Sequence, residues 1–204
     1  DSVIPVITLV GAATLTHAHG TAFVDPGATA SDNADGDITG SIVVGGAVNS
    51  NAVGSDALTY NVTDSYGNNA VQVGRTVNVT DQAAPVITLI GADPIDLALG
   101  QTYTEQGATA TDAVDGDLTA FINVSGVVDV NTPGSYTVTY SVSDAAGNQA
   151  TETRTVNVAV DATIPVITLL GQSTVTHAQG SAYNDAGATA TDNIDGDITG
   201  SIVT

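Results

Sequence analysis

The pattern Asp-x-x-Asp-Gly-Asp occurs three times, at Asp32–Asp37, Asp112–Asp117 and Asp192–Asp197, each copy 80 positions after the last. The same interval separates Pro5, Pro85 and Pro165, each of which opens Pro-Val-Ile-Thr-Leu. A fixed period of this length means that one structural unit has been copied, so the chain must fold as an array. The period divides it into repeats 1–80 and 81–160 and the first half of a third, 161–204. From Ile4 and Ile164 onward, 29 of 41 positions are identical between the first and third repeats. About 44 residues are too few to bury a self-sufficient core. The sequence therefore reads as an excerpt from a longer tandem protein.

Within a repeat the hydrophobic pattern has the period of a strand. Leu58, Tyr60 and Val62 alternate with Thr59, Asn61 and Thr63, and Val138, Tyr140 and Val142 alternate with Thr139, Ser141 and Ser143. Val6–Val10 is a β-branched run closed by Gly11, with Pro5 at its edge, where no ladder donor is needed. Thr14–His17 continues it after a kink, Gly27–Ala30 leads into the acidic loop, and 38–48 reads as a further strand region. Asp64-Ser65-Tyr66-Gly67-Asn68 is a tight hairpin loop, followed by a last strand from about Ala70 to Val79. Arg154–Val158 matches Arg75–Val79 at an offset of 79, so the first repeat holds one extra residue. A β-bulge near Gly74 is the expected way to absorb it. No stretch has helical periodicity. The expected fold is all-β: tandem immunoglobulin-like antiparallel sandwiches with about seven strands per 80-residue repeat, without the Cys…Trp…Cys signature of antibody domains.

Charge decides which partners are excluded. The chain has 22 acidic residues against Arg75 and Arg154 and no Lys, for a net charge of −20. Such a surface repels phosphate backbones and anionic lipid, so neither nucleic acid nor membrane insertion is expected. Most of the acid is Asp, a turn-forming residue, which places the charge in loops. The absence of Cys removes disulfides, catalytic thiols and thiolate metal sites.

Pro-Val-Ile-Thr-Leu, then Gly-Ala-Thr-Ala-x-Asp-x-x-Asp-Gly-Asp, then Tyr-x-Val-x-Asp-x-x-Gly-Asn together resemble bacterial surface-protein Ig-like repeats. These are of the type also appended to a pesticidal crystal protein and are related to hyalin repeats. The resemblance covers both whole repeats and the available part of the third. It implies spacer or stalk modules of large secreted adhesins and cell-wall proteins, or accessory domains of secreted enzymes, and an extracellular or cell-surface location.

In a sandwich of this strand order the acidic loop, the hairpin before the last strand and the linker Asp meet at one end of each repeat. Asp81, Asp112, Asp115, Asp117, Asp144 and Asn148 are expected to gather where the second repeat begins. Asp1, Asp32, Asp35, Asp37, Asp64 and Asn68 are their counterparts in the first repeat, and Asp161, Asp192, Asp195 and Asp197 in the third. Carboxylates held this close need a counter-charge, and an all-oxygen set suits calcium as a structural ion better than magnesium, zinc or copper. Asp, Asn and Gly are also what tight turns prefer, so ordinary solvated loops account for the same residues. The spacing is not that of an EF-hand. His17, His19 and His177 read as surface histidines on an edge strand.

No nucleophile elbow, phosphate loop or metalloprotease helix is present. A site copied in every repeat suits a structural ion better than a catalytic centre, so no enzymatic activity is expected. The expected role is a structural extender, stalk or filament segment, partnered by neighbouring repeats and by other copies of itself. The alternative is a module binding carbohydrate or a host protein, for which Tyr66, Phe23, Tyr103 and Tyr183 are the available aromatics.

Overall fold

The computed structural model describes residues Asp1–Thr204. In the first repeat, β1 (Val6–Leu9), β3 (Ala28–Asp32) and the two-residue β4 (Gly36–Asp37) form one sheet, ordered β1-β3-β4. The other sheet is ordered β2-β7-β6-β5, with β2 (Thr14–Ala18), β5 (Val43–Gly45), β6 (Gly54–Asn61) and β7 (Val73–Thr80). β1 runs antiparallel to β3, whereas β2 runs parallel to β7 from Thr14↔Thr76 to Ala18↔Thr80. The opening segment thus starts in one sheet and finishes in the other, with the crossing at 10–13. The two sheets share a core. Ile7 and Ala30 come from the first, Leu58 and Tyr60 from β6, and Val62 follows β6 directly. The alternation seen in sequence is the cause, since Leu58 and Tyr60 are buried and Thr59 and Asn61 are not. Each large side chain removed from water here contributes about 1.5–3 kcal/mol.

The second repeat reproduces the plan with β8 (Val86–Leu89), β9 (Ile95–Leu97), β10 (Ala108–Asp112), β11 (Gly116–Asp117), β12 (Asn123–Ser125), β13 (Gly134–Ser143) and β14 (Gln149–Val158). Its sheets are β11-β10-β8 and β12-β13-β14-β9, around a core of Leu97, Ala108, Val138, Tyr140, Val156 and Val158. In residues 161–204 a single sheet, β15-β16-β17, forms from β15 (Val166–Leu169), β16 (Ala188–Asp192) and β17 (Gly196–Asp197). Ile167 there is 62% exposed, whereas its counterpart Ile7 is 8% exposed. By contact the chain divides into two compact units. One is Asp1–Val86 with Ala110–Phe121 and Val142–Ala150; the other is Ile87–Thr109 with Ile122–Ser141 and Thr151–Thr204.

Two local expectations change. The stretch 38–48 is not one strand. The Thr39 amide donates to Asp37 Oδ1, and Ser41 and Ile42 close a 3₁₀ turn over Thr39–Ser41, which leaves only Val43–Gly45 extended. The extra residue of the first repeat lies three positions before Gly74. Ala70 N–H donates to the Val62 carbonyl while Tyr60 faces Val73, so Val71 and Gln72 together oppose Asn61. This is a β-bulge, and 71% exposed Val71 points out of it. From Val73 to Val79 the ladder with β6 is regular.

The two arginines are the largest fully buried side chains. Arg75 shares the inward phase of β7 with Val77 and Val79, so the alternation that buries the valines buries it as well. It is ion-paired with Asp25, donates through Nη2 to the carbonyls of Val10 and Gly27, and donates through Nε to the Ala12 carbonyl (3.2 Å). The Val10 and Ala12 carbonyls belong to the crossing between sheets, and a buried carbonyl needs a donor; the Gly27 carbonyl also accepts from the Val10 amide across the β1–β3 edge. Tyr60 donates to Asp25 at 2.7 Å and lies under the guanidinium, 5.6 Å from ring centroid to Cζ. Arg154 repeats the ion pair and the Nη2 contacts with Glu105, Tyr140, Ile90 and Gly107, and Tyr103 donates to Glu105 as well, but Arg154 Nε is buried without a partner where Arg75 Nε reaches Ala12. Burial acts to raise the Asp25 and Glu105 pKa values. The tyrosine hydroxyls, backbone amides and arginine outweigh it and hold both carboxyls below their ordinary range.

Candidate metal centres

The acidic groups draw on three kinds of segment, the first two groups on all three and the third on the first two. The linker supplies Asp1, Asp81 or Asp161. The loop between β3 and β4, or its equivalent, supplies Asp32, Asp115, or the pair Asp192 and Asp195. The hairpin before β7 or β14 supplies Asp64 or Asp144. In Asp1/Asp32/Asp64, Asp81/Asp115/Asp144 and Asp161/Asp192/Asp195, one carboxylate oxygen per residue lies within 4.8 Å of the others.

Local backbone chemistry places these oxygens. Asp32 Oδ1 accepts from the amides of Ala34 (2.8 Å) and Asp35 (3.2 Å), folding the loop back on its own first residue. Asp112 and Asp192 do the same with Val114 and Asp115, and with Ile194 and Asp195. Asp64 Oδ1 accepts from the Tyr66 and Asn68 amides, and its Oδ2 accepts from Asn68 Nδ2 at 2.8 Å. Asp144 repeats this with Asn148. Asp64 and Asp144 are buried, which alone would raise their pKa values. Hydrogen bonds from Asn68 and Asn148 and the hairpin amides reverse the sign, so both are anionic at neutral pH. Thr163 lowers Asp161 through its hydroxyl and amide.

Other expected residues stand outside these groups. Asp37, Asp117 and Asp197 each accept from the amide of the Thr two positions on, at 2.9 Å, and so hold the 3₁₀ turn. Asp35 accepts from the Ser65 amide and hydroxyl, tying loop to hairpin, as Asp115, itself a member of the second group, does with the Ala145 amide. Asp112 is not among the three residues of the second group. Asn68 and Asn148 act as donors that orient Asp64 and Asp144. Asn68 also reaches the Asp1 carbonyl at 3.3 Å. His17 and His177 sit edge-on to Phe23 and Tyr183.

One atom departs from this pattern of satisfied oxygens. Asp81 Oδ1 accepts from the Ala83 amide at 3.1 Å, but Asp81 Oδ2 is buried and has no hydrogen-bond partner. Val53, Val114 and Ala145 line the cleft beside it. A buried carboxylate oxygen without a donor costs several kcal/mol unless a cation meets it.

Fold and acidic ends together define a tandem immunoglobulin-like sandwich protein with a carboxylate group where each repeat begins. Residues 7–79 and 87–158 each match the family described as bacterial surface protein, Ig-like domain, and the chain belongs to that family. It is 33% identical over 128 residues to the pesticidal crystal protein Cry22Aa of Bacillus thuringiensis, covering 59% of this chain and 17% of that protein. It is 34% identical over 120 residues to an uncharacterized 81.3 kDa protein of Acholeplasma phage L2, covering 54% and 16%. The chain thus spans less than a fifth of the length of either relative. Among solved structures, the M60 catalytic domain with the CBM51-1 and CBM51-2 domains from Clostridium perfringens ZmpB is similar at 13% identity. That likeness covers 87% of this chain and 33% of the other, with a TM-score of 0.44. The lipoprotein BT2262 from Bacteroides thetaiotaomicron is similar at 19% identity over 74% and 99%, with a TM-score of 0.35. No helix is long and apolar enough to cross a membrane.

Proposed function

We propose that this chain is a non-enzymatic extender segment of a secreted or surface-anchored bacterial protein, with calcium bound where each repeat begins. The observation that carries the reading is Asp81 Oδ2, a buried oxygen without a donor in a group of three carboxylates. The donor set is all oxygen, which selects a hard cation. Both arginines are committed to the interior, so the chain has no side-chain cation left for these groups. Calcium held by Asp81, Asp115 and Asp144 joins the linker to the loop and hairpin of the repeat it enters, and so fixes the linker.

The carbohydrate-binding alternative needs an aromatic platform. Phe23 and Tyr103 pack against the cores instead. The exposed aromatics Tyr66, Phe121 and Tyr183 occupy three non-equivalent positions of the repeat.

The test is thermal unfolding and small-angle scattering of the whole chain in calcium and in excess chelator. The expected result is a melting temperature at least about 4 °C lower in chelator, with a broader distribution of interatomic distances. Identical melts and identical scattering would reduce the acidic loops to ordinary turns.

A further inference from the structure

Beside the three acidic groups, two positions vary in a way that follows the unpartnered oxygen. At the first, the residue after the opening loop Asp is Asn33 in the first repeat, Ala113 in the second and Asn193 in the third. The Asn33 amide nitrogen, oriented to pair donor with acceptor, donates to Asp1 Oδ2 at 2.9 Å and Asp32 Oδ2 at 3.3 Å. A neutral side chain there holds two carboxylates together. At the second position, two residues past the linker Asp, the three repeats carry Val3, Ala83 and Thr163. The Thr163 hydroxyl lies against Asp161 Oδ1 and the side-chain oxygen of Asn193 and donates its one proton to either. The second repeat has alanine at both positions, and its linker carboxylate is the one left with a buried oxygen unpaired.

Resting on the calcium reading above, we infer that the residue at 33, 113 or 193 sets how strongly each group depends on the cation. The Asp81 group binds calcium most tightly, and the Asp1 and Asp161 groups bind it more weakly. An ion entering the Asp81 group satisfies an oxygen that no hydrogen bond reaches. An ion entering the Asp1 group must first displace the Asn33 amide from two carboxylates, and charge-assisted bonds of this kind are the strong ones. Asn33 is the chain's own substitute for the cation.

The experiment is calorimetric titration of calcium into the calcium-free whole chain, as wild type, Asp81→Asn, Ala113→Asn and Asn33→Ala. Each protein is also melted without calcium to establish that it is folded. The wild type is expected to show one tight site and weaker ones, and Asp81→Asn to lose the tight site. Ala113→Asn should weaken it roughly tenfold, as loss or gain of an orienting partner does at metal sites, and should raise the calcium-free melting temperature. Asn33→Ala should create a second tight site. If Ala113→Asn leaves the tight site unchanged or tighter, the inference is overturned and the calcium reading stands. If the wild type takes up no calcium, the reading itself fails and the inference with it.

Discussion

Each whole repeat gathers charge in two places and neutralises it in opposite ways. Around Arg75 the chain supplies both signs. The guanidinium is enclosed by Asp25, Tyr60 and the carbonyls of the sheet crossing, and every group finds a partner within the repeat. Around Asp81 it supplies one sign only, and a buried oxygen is left over. With two arginines, both interior, and no lysine, the chain offers no Lys or Arg to the linker carboxylates.

The largest effect expected comes from removing an interior cation. Arg154→Ala strands Glu105 and leaves a void among β9, β13 and β14. It should cost about 3 kcal/mol, read as a lower denaturation midpoint that calcium does not restore. A loss under about 1 kcal/mol would erase the contrast between the two regions.

Acid probes the same interior next. Asp25 and Glu105 have folded pKa values below their ordinary 3.8 and 4.5. Their contribution is complete above those ordinary values and is lost as pH falls through the lower folded ones. The denaturation midpoint should drop below about pH 4.5, and the slope should shrink in Glu105→Gln. Alkali acts with the opposite sign. Burial and the Asp25 hydrogen bond push the Tyr60 phenol from 10.0 up to about 12, so its contribution is complete below pH 10 and lost toward pH 12. That loss should be equal with calcium and with chelator. A calcium-dependent alkaline transition would mean that the two regions are coupled.

The smallest expected effect is at Asp117. It accepts from Thr119 and holds a turn, so Asp117→Asn should change calcium affinity less than about twofold in titration. A tenfold loss would enlarge the group and place Asp117 within it.

Much of this was legible in sequence. The 80-residue period, the period-two alternation of Leu58, Tyr60 and Val62, and the convergence of linker, loop and hairpin Asp all follow from residue type and strand order. Three features were harder to read. Asp35 and Asp37 look alike in Asp-Gly-Asp, yet one ties to Ser65 and the other to Thr39, and only the tertiary fold brings Ser65 within reach. The bulge was displaced because Gly74 suggested irregularity, whereas the register is broken by Val71 and Gln72. The burial of Arg75 had a signal. It shares strand phase with Val77 and Val79, but its charge argues for solvent until Asp25 and the crossing carbonyls are seen around it.

The parallel pairing of β2 with β7 has a mechanical consequence. Because the two strands run the same way, tension applied to the opposite ends of a repeat loads their rungs in shear, together, rather than unzipping them singly. The first repeat has five facing pairs, Thr14↔Thr76 to Ala18↔Thr80, and the second has three, Val156↔Ile95 to Val158↔Leu97. Under tension the second repeat should rupture first. Single-molecule extension should record two separate events, with the stronger one abolished by Thr16→Pro; two events of equal force would remove the distinction. A chain built this way should give under strain in a fixed order, with the first repeat still folded after the second has lengthened.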